Sequence, residues 1–244
     1  MAGEKHPKQE VQKYLGRYDQ AVAKIKRMRI SGEEKQAMLT KLARLEGLLQ
    51  VGDLPLPAKS YFCLVVDPPW YYDLRKDDET HRNRINYPPM QTEEIVALPI
   101  PALGDCSGSV LWLWTTNNHM PDAYRCLEHW GYEHKTILTW EKVSKAGNPH
   151  IGTGHWLRNN TEHCLLAVKG KVASFLSQGL LTNQSTTLRA RRREHSRKPA
   201  DFYELVEQLC PSPKLELFAR ESRPGWETWG NQVNLFDCVP TVST

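Results

Sequence analysis

The chain has 244 residues, 40% of them hydrophobic, and its 32 Lys and Arg outnumber its 28 Asp and Glu to give a formal net charge of +4. This length and composition predict one catalytic-sized globular domain plus a small accessory element. Membrane and secreted classes are disfavoured, because no run of about 18 apolar residues occurs and the N-terminus lacks the apolar stretch of a signal peptide.

Residues 1–50 predict a basic helical hairpin. Apolar residues recur at spacings of three and four over 8–29 and again after residue 34, which places them on one face of each helix. Between the two helices, Ser31 and Glu34 have the spacing of a capping box. The segment holds eleven Lys and Arg against six Asp and Glu. The hairpin therefore either packs on the core or a second copy, or grips nucleic acid.

A linker over 51–59, with two prolines and a glycine, precedes a change of pattern. Short β-forming runs then alternate with helical segments, and one helix ends at Gly131, a typical C-cap residue. The predicted strands are 61–66, 109–114, 134–140, 163–168 and 214–219, and the predicted helices are 122–130 and 200–209. This alternation predicts an α/β domain with a mostly parallel sheet over 60–237, followed by a tail at 238–244.

The six cysteines are scattered singly, and no Cys-x-x-Cys pair is present. That spacing argues against a zinc ribbon or a redox motif, so no metal site is predicted, and it favours reduced thiols in a cytosol-like compartment. A second basic cluster extends over 189–198, opposed only by Glu194. It fits either a polyanionic partner or a solvated surface.

The sharpest motif is Asp67-Pro68-Pro69-Trp70, directly after an apolar strand. Ligands of open α/β sheets bind beyond the carboxyl ends of strands, so this is a favourable position for a site. The two prolines remove amide donors and are expected to leave the Pro68 carbonyl rigid and free beside the Asp67 carboxylate. Two fixed acceptors can hold both hydrogens of a planar amino group, while Trp70 offers a face on which a base can stack. A Pro-rich turn after a strand is the plain structural alternative.

With its downstream blocks the chain resembles the MT-A70 adenine-N6 methyltransferases over roughly residues 60–235. Some of its motif variants, such as Glu221-Ser222-Arg223 after Arg220, are more similar to the bacterial and phage branch than to the messenger-RNA enzymes. The blocks that carry the resemblance are residues 86–88, 111–115, 129–132, 152–158, 162–166, 168–170, 195–199, 216–220 and 230–232.

The resemblance implies a Rossmann-like S-adenosylmethionine-dependent methyltransferase domain in permuted motif order, with the catalytic loop Asp67-Pro68-Pro69-Trp70 ahead of the cofactor-binding strand. Residues implied to hold the cofactor are Asp53 at the adenine, Asp67 at the ammonium group, Lys198 at the carboxylate, Glu216 and Arg220 near the ribose, and Asn231 and Gln232 closing over it. Residues implied or expected to meet the acceptor are Tyr87, Trp140, Trp156, Glu162, Arg191 and Arg192. The loop at 152–154 is expected to act as a gate.

The first hypothesis for function is methylation of adenine N6 in DNA, by a cytoplasmic protein that is nucleoid-associated if bacterial. The same reaction on RNA is a second hypothesis, because a pocket for one extruded adenine does not read the sugar. A third is a catalytically inactive nucleic-acid-binding partner subunit. Methylation of a protein glutamine is disfavoured, because such loops usually begin with Asn. Expected partners are nucleic acid and a second copy or a methyltransferase-like subunit.

Overall fold

A computed structural model describes residues 31–32, 57, 59–72, 89–152, 154, 156–172, 183–193, 197–230 and 233. The chain divides into two compact units, one formed by Met1–Leu54 and Tyr72–Met90 and the other by Pro55–Tyr71 and Gln91–Thr244. All strands and helices named below belong to the second unit. The predicted hairpin at 1–50, most of the linker and the tail at 238–244 lie outside the described residues, so these boundaries stay predictions.

Seven strands and four α-helices make up the described part of the second unit. The strands are β1 Cys63–Val66, β2 Gly108–Thr115, β3 Glu133–Val143, β4 Thr161–Gly170, β5 Thr187–Arg191, β6 Lys214–Leu217 and β7 Trp226–Trp229; the helices are α1 Thr92–Val96, α2 Ile100–Leu103, α3 Met120–Trp130 and α4 Ala200–Leu209, with a 3₁₀ turn at Asn117–His119. All seven predicted elements are present, and α4 has the predicted bounds. The strands β5 and β7 and the helices α1 and α2 were not predicted.

The strands form one sheet in the order β5-β3-β4-β2-β1-β6-β7. Only β4 runs antiparallel to its neighbours β2 and β3, while the remaining neighbouring pairs are parallel. The prediction of an α/β fold with a mostly parallel sheet is therefore confirmed. Because β1 lies between β2 and β6 and is parallel to both, its carboxyl end is flanked by theirs.

Both faces of the central strands are covered, as expected for parallel strands. Alternate residues on β1 and β2, such as Val65 and Trp112, belong to a buried cluster that includes Phe202 of α4. The residues of opposite parity, such as Leu64 and Leu111, are fully buried as well. Trp112 meets Phe202 edge to face with ring centroids 5.8 Å apart.

The helix α3 packs near β2 and β3 and ends where the sequence predicted. Gly131 has φ +70°, a left-handed conformation that glycine adopts without the steric cost of a Cβ. Its amide donates to the carbonyls of Leu127 and Glu128 and so closes the last turn. Within the described residues, no helix has both the length and the apolar character needed to cross a membrane.

Candidate active site

The motif Asp67-Pro68-Pro69-Trp70 leaves β1 at the carboxyl edge of the sheet. Val66, the last residue of β1, pairs with Leu113 of β2 and Leu217 of β6. Asp67 therefore emerges between the ends of two parallel neighbours, where α/β folds form ligand sites.

Lys198 is buried at this edge, with 6% of its side chain exposed, and its ammonium group binds two carboxylates. Nζ lies 3.0 Å from Oδ2 of Asp67 and 2.9 Å from Oε2 of Glu162. It also lies 4.7 Å from the ring centroid of Trp114, a cation–π contact. Burial by itself lowers the pKa of Lys198, but the charges of Asp67 and Glu162 outweigh it and raise this pKa above its usual value. Lys198 is therefore a fixed cation that holds Asp67 in place.

Glu162 reaches the same edge because β4 is antiparallel and begins there. Its second carboxylate oxygen binds the ammonium group of Lys142, and Trp140, its cross-strand partner, lies under that group with 5.2 Å between Nζ and the ring centroid. Burial raises the pKa of Glu162, but Lys198 and Lys142 outweigh it and lower the value to about 2. The site thus contains an alternating chain of charges that runs from Asp67 to Lys142.

Two details of the motif differ from prediction. The Pro68 carbonyl is not free, because it accepts the amide N–H of Trp70 at 2.8 Å, which leaves one lone pair for a ligand. Trp70 is only 4% exposed and does not offer an open stacking face. Its ring stacks on His119 with centroids 5.3 Å apart, and its Nε1 donates to the carbonyl of Trp114 at 3.0 Å. Trp70 is therefore a buried side chain that holds the loop after β1 in place.

A cleft opens beside Asp67. Its lining brings together four predicted residues, Asp67, Lys198, Glu216 and Arg220, with four that were not predicted, Arg197, Tyr203, Phe218 and Glu221. Glu216 belongs to β6, next to β1, and Tyr203 belongs to α4, so adjacent elements converge on one cleft.

Glu216 is buried and accepts a hydrogen bond from the Tyr203 hydroxyl at 2.7 Å. Burial raises the pKa of Glu216 to about 7, against the opposing effects of Tyr203 and Arg223, while Asp67 and Glu221 raise it further. This carboxyl group changes its charge near neutral pH.

Glu221 joins two arginines at the mouth of the cleft. Its carboxylate accepts from Nε of Arg197 at 2.6 Å and from Nη2 of Arg223 at 2.8 Å. The Arg223 guanidinium in turn stacks on the Tyr203 ring, with Cζ 3.7 Å from the centroid. These contacts hold Tyr203 against Glu216, a role that the sequence around Arg223 does not reveal.

Phe218 follows β6 with φ +61°, which is unusual for a residue with a Cβ. Its ring packs edge to face on Trp229, with centroids 5.9 Å apart. Gly230 packs closely against this turn, since a Cβ there would come within 3.1 Å of the Phe218 Cα. Positive φ at a cleft-lining residue is the kind of local strain that collects at functional sites.

The other predicted site residues are distributed differently. Trp140 is a buried core residue that contacts the site through Lys142, and its Nε1 donates to the carbonyl of Ala190. Trp156, Arg191 and Arg192 are exposed and do not line the cleft around Asp67. The predictions for Asp53, Tyr87, Asn231 and Gln232 fall outside the described residues. Within the described ranges, no group of three or more His, Cys, Asp or Glu side chains could hold a metal ion.

Several known proteins are similar in sequence to this chain. The MT-A70 family model matches residues 61–232, a range that includes Asp67, Glu162, Lys198 and Glu216. The human N(6)-adenosine-methyltransferase catalytic subunit METTL3 is 34% identical over 180 residues, which are 70% of this chain and 28% of that protein. A probable N(6)-adenosine-methyltransferase MT-A70-like protein of rice is 33% identical over 180 residues, 70% of this chain and 23% of that protein.

The type II methyltransferase M.MunI of a Mycoplasma species is 30% identical over 198 residues, which are 73% of this chain and 80% of that enzyme. This chain therefore spans about a quarter of the length of the adenosine methyltransferases that it matches, but most of the length of M.MunI.

Proposed function

The chain belongs to the MT-A70 family, and from this premise we propose that it transfers a methyl group from S-adenosylmethionine to the N6 amino group of adenine in a nucleic acid, with DNA the preferred acceptor. S-adenosylmethionine is the methyl donor of this family. The observation that carries the proposal is the Asp67 carboxylate, held by a buried ammonium group at the mouth of a cleft built from β1, β6 and α4.

The adenine amino nitrogen is a weak nucleophile, because its lone pair is delocalised into the ring. An Asp67 oxygen that accepts one N–H, together with the second lone pair of the Pro68 carbonyl for the other, would localise that lone pair on nitrogen. The same two acceptors stabilise the positive charge that develops on nitrogen as the N–C bond forms, and one N–H proton is then released to water by way of the Asp67 carboxylate. Lys198 keeps the Asp67 carboxylate oriented before the acceptor arrives, so little reorganisation is needed at that moment.

The side chains of the cleft fit the chemistry of the cofactor. Lys198 and Arg197 suit its carboxylate, and Glu216 suits the ribose hydroxyls. Phe218 gives the mostly charged lining an apolar surface for the adenine. When bound, the cofactor supplies a sulfonium whose S–CH₃ bond breaks in the transfer, and the carboxylates of Asp67, Glu216 and Glu221 favour that cationic group over its neutral thioether product.

Two observations favour DNA as the acceptor. The relatives named for adenosine, a ribonucleoside, extend far beyond the matched region, whereas most of M.MunI, whose name specifies no ribonucleoside, is matched. The segment after Arg220, Glu221-Ser222-Arg223, resembles the bacterial and phage branch of the family, which also favours DNA. Adenosine in RNA remains the second candidate acceptor. The name of METTL3 describes it as a catalytic subunit. By analogy, we propose that this chain also works with a partner, either a second copy of itself or a methyltransferase-like subunit.

The test is transfer of label from methyl-labelled S-adenosylmethionine to duplex DNA, single-stranded DNA and RNA, followed by digestion and identification of the methylated nucleoside. The wild type should produce N6-methyladenine, with more label in DNA than in RNA. Asp67→Asn keeps the shape of the side chain but removes its charge, and we expect it to lower the rate by at least about a hundredfold. Asp105→Asn is the matched control, because Asp105 is half-buried, lies before β2 and outside the cleft, and accepts hydrogen bonds from the amide and hydroxyl of Ser107.

The possible outcomes are distinct. Label in cytosine would refute adenine as the proposed acceptor. An unchanged rate for Asp67→Asn would refute the proposed role of Asp67. More label in RNA than in DNA would leave the chemistry in place and reverse the acceptor. No label in any nucleic acid, with tight binding retained, would favour an inactive partner subunit.

A further inference from the structure

The connection between β3 and β4 ends in an exposed apolar tip. Of the four large apolar side chains that are exposed among the described residues, three belong to this connection: Ile151 at 62%, Trp156 at 91% and Leu157 at 83%. The described residues 151–152, 154 and 156–158 are called the hairpin tip below. Full exposure of Trp and Leu side chains side by side is unfavourable in water and indicates a surface that is covered when the protein works.

Hydrogen bonds order the base of the hairpin tip. The Lys142 amide of β3 donates to the Asn160 carbonyl just before β4, and the Gly152 amide donates to the Asn159 carbonyl, each at 2.8 Å. Arg158 closes the loop by donating from Nε to the Gly152 carbonyl at 2.7 Å. Gly152 is required for this approach, because a Cβ would come within 2.7 Å of the Asn159 oxygen. The apolar side chains are therefore presented by a defined structure.

Positive charge surrounds the hairpin tip. Residues 144–160 and 187–193 together contain six Lys and Arg and no Asp or Glu. In the edge strand β5, Leu188 and Ala190 pack against the core, which directs Arg189 and Arg191 to the opposite, exposed face. Arg189 donates to the carbonyl of Gly147, and Arg191 donates to that of Lys145, so both guanidinium groups are tied to the connection that carries the tip. Charge of this density is complementary to a phosphate backbone.

The hairpin tip is also close to the proposed acceptor site. Leu157 is five residues before Glu162, whose carboxylate shares Lys198 with Asp67. An extended chain of that length spans at most roughly 18 Å. With the length of the Glu162 side chain and the bridge through Lys198, the tip lies within roughly 30 Å of Asp67, which is at most about nine base steps at about 3.4 Å each.

We propose that the hairpin tip is a wedge that inserts Trp156 and Leu157 into the base stack of a duplex and fills the gap left by the adenine extruded toward Asp67. Arg189, Arg191 and Arg192 bind the flanking phosphates. An adenine inside a duplex cannot reach the site without leaving the stack, and apolar side chains inserted between base steps stabilise the opened duplex. This inference rests on the proposed methylation and specifies its substrate as stacked, base-paired nucleic acid.

The test compares label transfer to one DNA preparation, free of adenine methylation, in duplex form and after heat denaturation. Trp156→Ala should lower the rate on the duplex about tenfold or more, in line with the loss of one aromatic–base stacking contact, and the rate on the denatured DNA less than about threefold. Trp156→Phe should restore most of the duplex rate. Tyr124→Ala is the matched control, because Tyr124 is an exposed aromatic residue of α3. Arg191→Ala should weaken binding to both forms and reduce the salt slope by about one ion.

Equal loss on both forms of DNA, or no loss on either, would overturn the wedge. A Trp156→Ala protein that changes its oligomeric state by sedimentation while its preference for duplex is unchanged would assign the tip to contact between copies instead. If the wild type transfers no label to either form, the proposed function fails first, and this outcome is recognisable because it does not depend on Trp156. Thermal unfolding of each variant checks that the exposed substitutions leave the fold unchanged.

Discussion

Ligand binding in the cleft should depend on pH through Glu216, because this buried carboxyl group titrates near neutrality. Burial raises its pKa to about 7, and the Tyr203 hydroxyl remains its hydrogen-bond donor at 2.7 Å. Only the ionised carboxylate can accept from both ribose hydroxyls of the cofactor as well as from Tyr203. The perturbation is therefore a change of pH across this value, combined with Glu216→Gln.

The magnitude follows from the fraction of ionised carboxylate. With a pKa of about 7, Glu216 is ionised in roughly a tenth of the molecules at about pH 6 and in roughly nine tenths at about pH 8. A ligand that requires the ionised form loses affinity in proportion to that fraction. Binding should therefore be about tenfold tighter at the higher pH, a difference of about 1.4 kcal/mol.

The same pKa makes an opposite prediction for stability. The folded-state pKa of about 7 lies above the ordinary value of 4.5. The group therefore contributes stability below about pH 4.5, and this contribution is lost as the pH rises through about 7, with a limit of about 3 kcal/mol at high pH. Glu216→Gln should remove this cost, so the variant should be more stable than the wild type at about pH 8 while it binds the cofactor less tightly.

The assay is isothermal titration calorimetry with S-adenosylhomocysteine, which occupies the cofactor site without turnover, alongside denaturant unfolding at each pH. Glu204→Gln is the matched control, because Glu204 is exposed on the same helix as Tyr203. The reasoning would be refuted by a Glu216→Gln protein that keeps the full pH dependence of binding, or by one that is less stable than the wild type at about pH 8.

Three further predictions concern the surroundings of the site. Glu162→Gln removes one carboxylate from the buried Lys198 and the half-buried Lys142 and should lower the free energy of unfolding by about 3 kcal/mol or more. In the same urea titration Glu141→Gln, at a half-exposed ion pair, should change it by less than about 1 kcal/mol. Tyr203→Phe removes the donor to Glu216, raises the pKa of that carboxyl further and should shift the pH profile of ligand binding to higher pH in calorimetry; an unshifted profile would contradict this role. Gly131→Ala places a Cβ at φ +70° and should lower the thermal midpoint by several degrees, for a cost of about 1 kcal/mol, without altering the binding of S-adenosylhomocysteine.

Strongly patterned segments were predictable from the sequence. The apolar run of β1 and the periodicity of α4 depend on local residue order, and so do their ends. By contrast, β5 has only half-buried residues at alternate positions between arginines, so the segment was interpreted as a charge cluster rather than a strand. Strand β7 is four residues long and follows Pro224-Gly225, which indicates a turn more strongly than a strand.

The candidate site was likewise predictable from the sequence only in part. The meeting of Asp67, Lys198 and Glu216 was expected from the family resemblance, and the structure brings all three to one cleft. The contribution of Tyr203 was not predictable, because an aromatic residue on the buried face of a helix is indistinguishable from core until its hydroxyl is seen at Glu216. Trp70 was misjudged for the converse reason: the motif does not show that His119 covers its ring.

The reversed direction of β4 has a consequence for how such a protein can diversify. Two parallel neighbours require a crossover, usually through a helix, but two antiparallel neighbours require only a loop. The connection over 144–160 can therefore gain, lose or exchange residues without any change in the path of a helix. The ion pair between Lys142 of β3 and Glu162 of β4 holds the two ends of the connection together. Under the proposed wedge, target choice and methyl-group transfer therefore depend on separable parts of one chain. A chimera that takes this connection from a relative should acquire a new target preference while its affinity for S-adenosylhomocysteine is unchanged.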